Sequence, residues 1–279
     1  MEKEYRLGLS LSGGGARGIA HVGVLQALED NGFKPDIISG TSAGAIAGAL
    51  YAAGLSPVEI LGLVKKASLF KLLKVGLPYA GLTKHTYLRA QLEQAIGDDR
   101  FEALKIPLYV AMSNLNTGAC EMRHSGPLYD VVMASSSIPL VFQPVEVDGQ
   151  LYVDGGLLAN IPVAAIREQT QFVIGVNVMP NFEVDNKAVQ NVFGIAQRCF
   201  DLSILANTQP SLDLCDLVVE PMAVRDYTIL NLSKYQQIYE IGYQAMKEQV
   251  PVLKEKMEAW GGCRGRADWE AKGPSAPPT

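Results

Sequence analysis

The sequence lacks the closely spaced cysteines and histidines that would predict a metal site. Its four cysteines, Cys120, Cys199, Cys215 and Cys263, are widely spaced, no C-x-x-C motif occurs, and only three histidines are present. Zinc sites usually take their ligands from short, repeated spacings of these residues. We therefore expect reduced thiols and no zinc.

Basic stretches and long apolar runs are missing as well. The net charge is −5, and no basic stripe is interleaved with aromatic residues, which argues against binding of nucleic acid. No uncharged apolar run reaches the ~18 residues of a membrane span. Residues 1–6 lack the basic start and the apolar core of a signal peptide. These absences predict a cytoplasmic protein, and they leave peripheral contact with a membrane surface open.

The 279 residues, 48% hydrophobic and 19% charged, have the composition of an ordinary globular domain. Apolar strands alternate with helices in residues 7–53, an order that is typical of a parallel sheet. Further strands are predicted at residues 107–114, 119–123, 145–147, 151–153 and 172–178, and further helices from residue 57 and at residues 86–96, 128–134, 161–168, 189–205 and 233–260. We expect an α/β fold with a mainly parallel central sheet flanked by helices. One domain would span residues 1–260, and a disordered tail residues 261–279.

Residues 40–44 read Gly-Thr-Ser-Ala-Gly and lie between a predicted strand and a predicted helix. In that context the G-x-S-x-G pattern predicts a tight turn that presents the Ser42 hydroxyl at the C-terminal edge of the sheet. An oxyanion formed there would meet the Ala43 N–H and the positive end of the helix dipole. The pattern is short, and a serine that only caps the helix is the alternative.

A glycine-rich stretch, residues 13–18, follows the first predicted strand. It matches the G-x-G-x-x-G pattern of dinucleotide sites, but those sites need an acidic residue at the end of the second strand, where this chain has Ile38 and Ser39. A purely structural tight turn is a second interpretation. We favour a third, in which consecutive glycine N–H groups form an anion-binding nest, placed beside Ser42 by adjacent parallel strands as an oxyanion hole.

The chain offers no histidine where a Ser-His-Asp triad on an α/β-hydrolase sheet requires one. In such a triad the histidine follows both the serine and the acid, whereas the last histidine here is His124. We expect His21 to be buried and structural, and His85 and His124 to lie at the surface. Asp154 is the better base, because it ends a predicted hairpin strand and precedes two glycines. An aspartate bonded to its own turn is the alternative.

Four blocks, in this order, resemble the patatin-like phospholipase family. They are residues 13–18, residues 40–44, residues 134–139 (Ala-Ser-Ser-Ser-Ile-Pro) and residues 154–156 (Asp-Gly-Gly), and the similarity covers about residues 5–180. The resemblance implies a patatin-like fold, related to α/β-hydrolase architectures, and a Ser-Asp dyad without histidine. Ser42 is then the nucleophile and Asp154 the base. Residues 134–139 have no catalytic role that we can derive and are expected to pack beside the dyad.

The resemblance also implies further site residues. The oxyanion hole would comprise Gly13, Gly14, Gly15 and Ala43. The supporting residues would be Arg17, Gly18, Gly40, Gly44, Gly155 and Gly156. Arg17 is expected to brace the glycine loop or to add positive potential, with a solvated arginine as the alternative. Neither a metal nor another cofactor is implied.

The resulting prediction is a serine acyl hydrolase that cleaves ester bonds of phospholipids or related lipids and releases fatty acid. The alternatives are an acyltransferase or thioesterase on the same dyad, a catalytically silent lipid-binding regulator, and a nucleotide-binding oxidoreductase. The expected partner is the lipid substrate, and no oligomeric state is predicted. Residues 65–82, where four lysines mix with leucines and a phenylalanine, are expected to be largely irregular. For residues 64–82 we favour an ordinary amphipathic helix on the sheet over a lid on anionic lipid, which is the alternative.

Overall fold

An eight-stranded mixed sheet lies at the centre of the computed structural model, which describes residues 4–73, 86–181, 183–229 and 231–262. Its strands are β1 (Tyr5–Leu11), β2 (Ile37–Gly40), β3 (Leu108–Asn114), β4 (Cys120–Arg123), β5 (Val145–Val147), β6 (Gln150–Asp154), β7 (Thr170–Val176) and β8 (Leu217–Val219). The strand order is β5-β6-β3-β2-β1-β7-β8, and β4 also pairs with β3. Strands β3, β2, β1, β7 and β8 are parallel, whereas β4, β5 and β6 join through antiparallel pairs. The predicted α/β fold with a mainly parallel sheet is confirmed.

Helices cover this sheet on its two faces. They are α1 (Ile19–Asp30), α2 (Ala43–Ala52), α3 (Pro57–Leu73), α4 (Thr86–Ile96), α5 (Tyr129–Ser135), α6 (Ala164–Arg167), α7 (Val192–Leu212) and α8 (Tyr235–Gly262). On β2, Ile38 joins the large apolar cluster that includes α1 and α2, while Ile37 joins a smaller cluster with Ile166 of α6. Since successive strand residues point to opposite faces, the two clusters lie on opposite sides of the sheet. None of the described helices combines the length and the apolarity needed to cross a lipid bilayer.

The helix α3 is longer than the sequence indicated. It begins with a capping box, in which the Ser56 N–H donates to Glu59 Oε2 at 2.8 Å and the Glu59 N–H donates to Ser56 Oγ at 3.3 Å. It then continues to Leu73. The expectation of irregular structure from residue 65 is therefore wrong as far as Leu73, because lysine and leucine are good helix formers and the helix breakers come later. Residues 74–82, the rest of the stretch for which a lid was the alternative, lie outside the described residues.

Other boundaries also differ from the sequence-based prediction. Helix α7 extends to Leu212 rather than to residue 205, and α6 is limited to one turn. The short strand β8 was not predicted, because three residues carry too little periodicity to be recognised. Helix α8 includes the first two residues of the predicted tail, and residues 263–279 lie outside the described residues.

Candidate active site

Ser42 lies on the sharp turn between β2 and α2. Its backbone angles are φ 53° and ψ −120°, a conformation that L-residues rarely adopt and that stores strain. The turn closes tightly because glycines flank it: a Cβ on Gly44 would lie 2.3 Å from the Leu11 carbonyl oxygen, and one on Gly40 would lie 2.7 Å from the Gly44 backbone. The G-x-S-x-G stretch thus forms the turn that the sequence predicted, with a buried serine at its apex.

Asp154 is brought to Ser42 across the intervening strand β3. In the pairing of β2 with β3, Gly40 lies opposite Val110, and in the pairing of β3 with β6, Asp154 lies opposite Met112. The end of β6 and the turn after β2 therefore meet at the same level of the sheet. There both side chains line one cleft, and the Ser42 hydroxyl lies near enough to Asp154 to lower the pKa of its carboxyl group.

Burial changes the acidity of the Asp154 carboxyl group. Asp154 is 3% exposed, and the loss of solvation raises its pKa from 3.8 to about 6. The nearby Ser42 hydroxyl and a hydrogen bond from the Gly156 N–H, the latter at 2.8 Å, oppose this rise but do not cancel it. The bond from the Gly156 N–H shows that Asp154 is bonded to its own turn while it lines the cleft with Ser42.

The serine-rich block at the C-terminal end of α5 bonds to the backbone of both Ser42 and Asp154. The Ser42 N–H donates to Ser135 Oγ at 2.9 Å, and the Asp154 N–H donates to the Ser137 carbonyl oxygen at 3.0 Å. Ser113 Oγ on β3 donates to the Asp154 carbonyl oxygen at 2.9 Å. Residues 134–139 do pack beside the pair, as expected, but they also make specific hydrogen bonds that sequence reasoning missed. The run of serines directly after a short apolar helix was the available signal.

The glycine loop lies on the other side of Ser42. Gly14 and Gly15 have φ angles of 157° and 56°, and both line the cleft that contains Ser42. Within the described part of the chain, no acceptor takes the N–H of Gly14, Gly15 or Ala43. The Gly13 N–H, by contrast, donates to the carbonyl oxygen of Asn160 at 3.2 Å and to its Oδ1 at 3.1 Å. The expectation that Gly13 contributes to an oxyanion hole is corrected, since its N–H is already engaged.

The cleft encloses about 310 Å³ of space, part of it open to solvent. Its lining residues are Gly13, Gly14, Gly15, Ser42, Ile138, Asp154, Asn160, Met179, Gln197, Phe200, Asp201, Ile204 and Ile229. Four of them come from α7, and the apolar ones form a wall next to the polar Ser42 and Asp154. The cleft thus combines a serine hydroxyl, a buried carboxylate and unengaged backbone N–H groups of the glycine loop with an apolar surface.

A family model described as patatin-like phospholipase matches residues 9–166, which is more than half of the chain. The chain belongs to the patatin-like phospholipase family. It is 28% identical over 266 residues to lysophospholipase NTE1 of Saccharomyces cerevisiae, covering 85% of this chain and 16% of that protein. It is 33% identical over 174 residues to lysophospholipase NTE1 of Yarrowia lipolytica, covering 60% of this chain and 12% of that protein. The chain therefore spans less than a fifth of the length of these two relatives.

Two solved structures also align with this patatin-like chain. VipD from Legionella pneumophila does so with a TM-score of 0.48 and 17% identity, covering 88% of this chain and 66% of VipD. The ExoU–SpcU complex from Pseudomonas aeruginosa gives a TM-score of 0.46 and 17% identity, covering 92% of this chain and 52% of the matched chain. The matched family is one of phospholipases, which are lipid acyl hydrolases.

Two buried polar residues connect the patatin glycine loop to the rest of the domain. Arg17 is 5% exposed, so a solvated arginine is excluded; its Nε donates to the Tyr227 carbonyl oxygen at 2.7 Å and its Nη1 to Met179 Sδ at 3.4 Å. Burial lowers the pKa of Arg17.

Asn160 is fully buried, accepts from the Gly13 N–H and donates through Nδ2 to Thr208 Oγ1 on α7 at 3.1 Å. Asn160 was not singled out from the sequence, because only the folded chain brings it under the loop.

The histidines within the described residues contact neither Ser42 nor Asp154. His21 is fully buried, its Nε2 donates to the Ser12 carbonyl oxygen at 2.8 Å, and burial lowers its pKa to about 4. The prediction of a buried structural histidine is confirmed. His124 is exposed and stacks on the Tyr109 ring, with centroids 4.5 Å apart, as expected for a surface residue. His85 lies outside the described residues.

Replacing Ser135 by alanine tests the contact with the Ser42 backbone. We expect the free energy of unfolding to fall by about 1–3 kcal/mol, because the Ser42 N–H loses its buried acceptor, and kcat for a soluble ester to fall roughly tenfold with KM unchanged. Ser136→Ala is the matched control, since the Ser136 hydroxyl donates to the Val132 carbonyl oxygen of its own helix. Steady-state kinetics and chemical unfolding measure both effects. Equal kcat values in the two variants would show that Ser135 does not position the nucleophile.

Proposed function

We propose that this chain hydrolyses acyl ester bonds of phospholipids or lysophospholipids, with Ser42 as the nucleophile and Asp154 as the general base. The observation that carries the proposal is the cleft that brings the Ser42 hydroxyl, on its strained turn, beside the buried Asp154 carboxylate, whose pKa burial raises to about 6. Such a carboxylate is ionised at neutral pH, yet it binds a proton more readily than an exposed aspartate does. The relatives named lysophospholipases support the substrate class.

In the acylation step, Ser42 Oγ attacks the ester carbonyl carbon while its proton passes to the Asp154 carboxylate. The carbonyl oxygen becomes an oxyanion, which the N–H groups of Gly14, Gly15 and Ala43 would stabilise together with the N-terminus of α2. The tetrahedral intermediate then collapses, the ester C–O bond breaks, and the leaving alcohol takes the proton from Asp154. The products are the acyl-enzyme on Ser42 and the deacylated lipid.

In the deacylation step, Asp154 accepts a proton from water, and the resulting hydroxide attacks the acyl carbon. Collapse of the second intermediate returns the proton to Ser42 and releases the fatty acid. The acyl chain would lie along the apolar wall of Ile138, Phe200 and Ile204. No step requires a group that the chain does not provide.

The second strand supports this assignment over a dinucleotide site. Strand β2 ends in Gly40 and leads into the Ser42 turn, so no carboxylate follows the strand where a ribose would bind. Asp36 precedes β2, at the opposite edge, where its Oδ2 accepts from the Leu7 N–H at 2.9 Å. The Asp36 carboxylate therefore has a structural role, because it accepts a hydrogen bond from the backbone of β1.

Product analysis tests the proposed reaction. Incubation of the chain with lysophosphatidylcholine or with phosphatidylcholine should release fatty acid and the deacylated product in equal amounts by mass spectrometry, with Ser42→Ala as the blank. Transfer of the acyl group to added glycerol, or hydrolysis of acyl-coenzyme A alone, would favour the acyltransferase or thioesterase instead. Binding of lipid without cleavage of any ester would contradict the proposal and favour a silent lipid-binding regulator.

A further inference from the structure

The chain segment at Ala159 and Asn160 contacts both the Ser42 turn and the glycine loop. Thr41 Oγ1, next to Ser42, donates to the Ala159 carbonyl oxygen at 2.7 Å. The Gly13 N–H donates to Asn160 Oδ1 at 3.1 Å and to the Asn160 carbonyl oxygen at 3.2 Å. Residues 159–160 therefore join the turn that carries the proposed nucleophile to the loop that carries the proposed oxyanion donors.

The Asn160 amide also lies close to Ser42 and to the turn that follows Asp154. A Cβ added to Gly13 would lie 2.8 Å from Asn160 Oδ1 and 3.4 Å from Ser42 Cβ, so the Gly13 backbone is in contact with both side chains. A Cβ added to Gly156 would lie 3.4 Å from the same amide oxygen. One side chain thus lies beside three segments of the site, although it takes no part in the proposed chemical steps.

Two adjacent residues of α7 hold Asn160 in turn. Asn160 Nδ2 donates to Thr208 Oγ1 at 3.1 Å, and the Asn160 N–H donates to Asn207 Oδ1 at 2.8 Å. Asn207 Nδ2 also donates to the Gly156 carbonyl oxygen at 3.0 Å, and the Gly156 N–H bonds to the Asp154 carboxylate. One turn of α7 is therefore connected to the glycine loop through Asn160 and to the Asp154 turn through Asn207.

The bonding partners determine which way the Asn160 amide points. The Gly13 N–H is a donor and requires the amide oxygen. The Thr208 hydroxyl donates its only hydrogen to the Ile204 carbonyl oxygen at 2.7 Å, so it can only accept from the Asn160 amide nitrogen. Asn160 and Thr208 are both buried. With its oxygen bonded to the loop and its nitrogen bonded to α7, the amide is suited to hold the loop rather than to bind substrate.

The N–H groups of Gly14 and Gly15 lie between two anchored residues of the loop. The preceding Gly13 N–H is bonded to Asn160, and the following Ala16 N–H donates to the Ile229 carbonyl oxygen at 2.8 Å. Oxyanion donors stabilise a transition state best when they are fixed in advance at the place where the charge forms. The anchors on the two sides can provide this fixation.

We propose that Asn160 is a positioning residue for the hydrolysis. Its amide, held by Thr208, fixes the N–H groups of Gly14 and Gly15 relative to Ser42. This inference rests on the proposed function, because it takes these two N–H groups as donors to the oxyanion. It adds a residue that acts through the glycine loop and a residue of α7 that acts through Asn160.

Thr208→Val tests the proposal without changing any residue that lines the cleft. Valine has the shape of threonine but gives the Asn160 amide no acceptor, so kcat for p-nitrophenyl butyrate should fall roughly tenfold with KM unchanged. Thr208→Ser keeps the hydroxyl and should restore kcat to within about threefold of the wild-type value. Asn160→Ala, which removes the amide itself, should lower kcat by about 10²-fold, the scale of a lost oxyanion donor.

Thr170→Val is the matched control. Thr170 is fully buried, and its hydroxyl donates to the carbonyl oxygen of Ile166, four residues earlier, at 2.6 Å, as the Thr208 hydroxyl does with Ile204. Both valine variants should be less stable in chemical unfolding, because each loses a buried hydroxyl, but Thr170→Val should keep kcat within about threefold.

The kinetic comparison separates this inference from the proposed function. Equal kcat values in the two valine variants, an effect on KM alone, a Thr208→Ser variant as impaired as Thr208→Val, or wild-type kcat in Asn160→Ala would overturn the inference and leave the proposed function intact. A wild-type chain that cleaves no ester would refute the proposed function, and the inference with it.

Discussion

Replacing Ser42 by alanine should lower kcat/KM for a soluble ester by at least about 10³-fold, the scale on which enzymes lose activity with their nucleophile. Alanine keeps a Cβ at the strained turn and keeps the N–H that donates to Ser135, so the fold should remain. Only the hydroxyl that shares the cleft with Asp154 is lost. Hydrolysis of p-nitrophenyl butyrate and circular dichroism measure the two quantities.

Ser39→Ala is the matched control for that experiment. Ser39 lies fully buried on β2, three residues before the nucleophile, and its hydroxyl donates to Ser10 Oγ at 2.9 Å. This variant loses a buried hydroxyl on the same strand, yet it should keep activity within a few-fold. Activity of Ser42→Ala above a tenth of the wild-type value would show that another residue is the nucleophile.

Replacing Asp154 by asparagine should have an effect of similar size. Asparagine can still accept from the Gly156 N–H, but it cannot take the proton of Ser42, so kcat/KM should fall by about 10³-fold. Asp148→Asn is the control, because Asp148 lies in the exposed turn between β5 and β6, where an Asn-Gly pair is as favourable as Asp-Gly. Retention of activity by Asp154→Asn would exclude the aspartate as the base.

The raised pKa of Asp154 predicts how activity depends on pH. The base works only when it is ionised, so kcat/KM should rise with pH up to about 6 and stay level above it. Below that value the rate should fall about tenfold for each pH unit, and the residual rate of Asp154→Asn should lack this inflection. A wild-type profile that is flat between pH 4 and 7 would contradict the assignment.

The same pKa predicts an effect of Asp154 on stability. The Asp154 carboxyl group binds its proton more tightly in the folded chain than in the unfolded chain. Its contribution therefore lowers the free energy of unfolding as pH rises from 3.8 to about 6. Above that window Asp154→Asn should be more stable than the wild type by roughly 1–3 kcal/mol, and below it the difference should vanish. Thermal unfolding at pH 8 and at about pH 3, above and below this window, checks both. A variant that is inactive and yet more stable is the signature of a site that trades stability for chemistry.

The parts of the site that the sequence predicted are those that depend on local chemistry. The Ser42 turn follows from small residues between an apolar strand and an apolar helix, because only such residues allow strand and helix to approach so closely. Asp154 was recognised because it ends a hairpin strand whose Asp-Gly turn is a strong local signal. The absence of a histidine after residue 124 made a carboxylate the better candidate, and the family resemblance implied the role of base for Asp154.

The parts that could not be predicted depend on contacts between segments far apart in the chain. Asn160 engages the Gly13 N–H, and Ser135 holds the Ser42 N–H, only because β2, β3 and β6 are neighbours in the sheet. The sequence alone does not show which backbone N–H groups find an acceptor when the chain folds. The Gly13 N–H is bonded to Asn160, so it is not available to stabilise an oxyanion.

Labelling with a fluorophosphonate, followed by peptide mass mapping across a range of pH, tests the Ser-Asp dyad most directly. The account predicts a single adduct on Ser42, a labelling rate that rises with pH up to about 6, and almost no adduct in Asp154→Asn. An adduct on another residue, or labelling of Ser42 at an unchanged rate in Asp154→Asn, would contradict it.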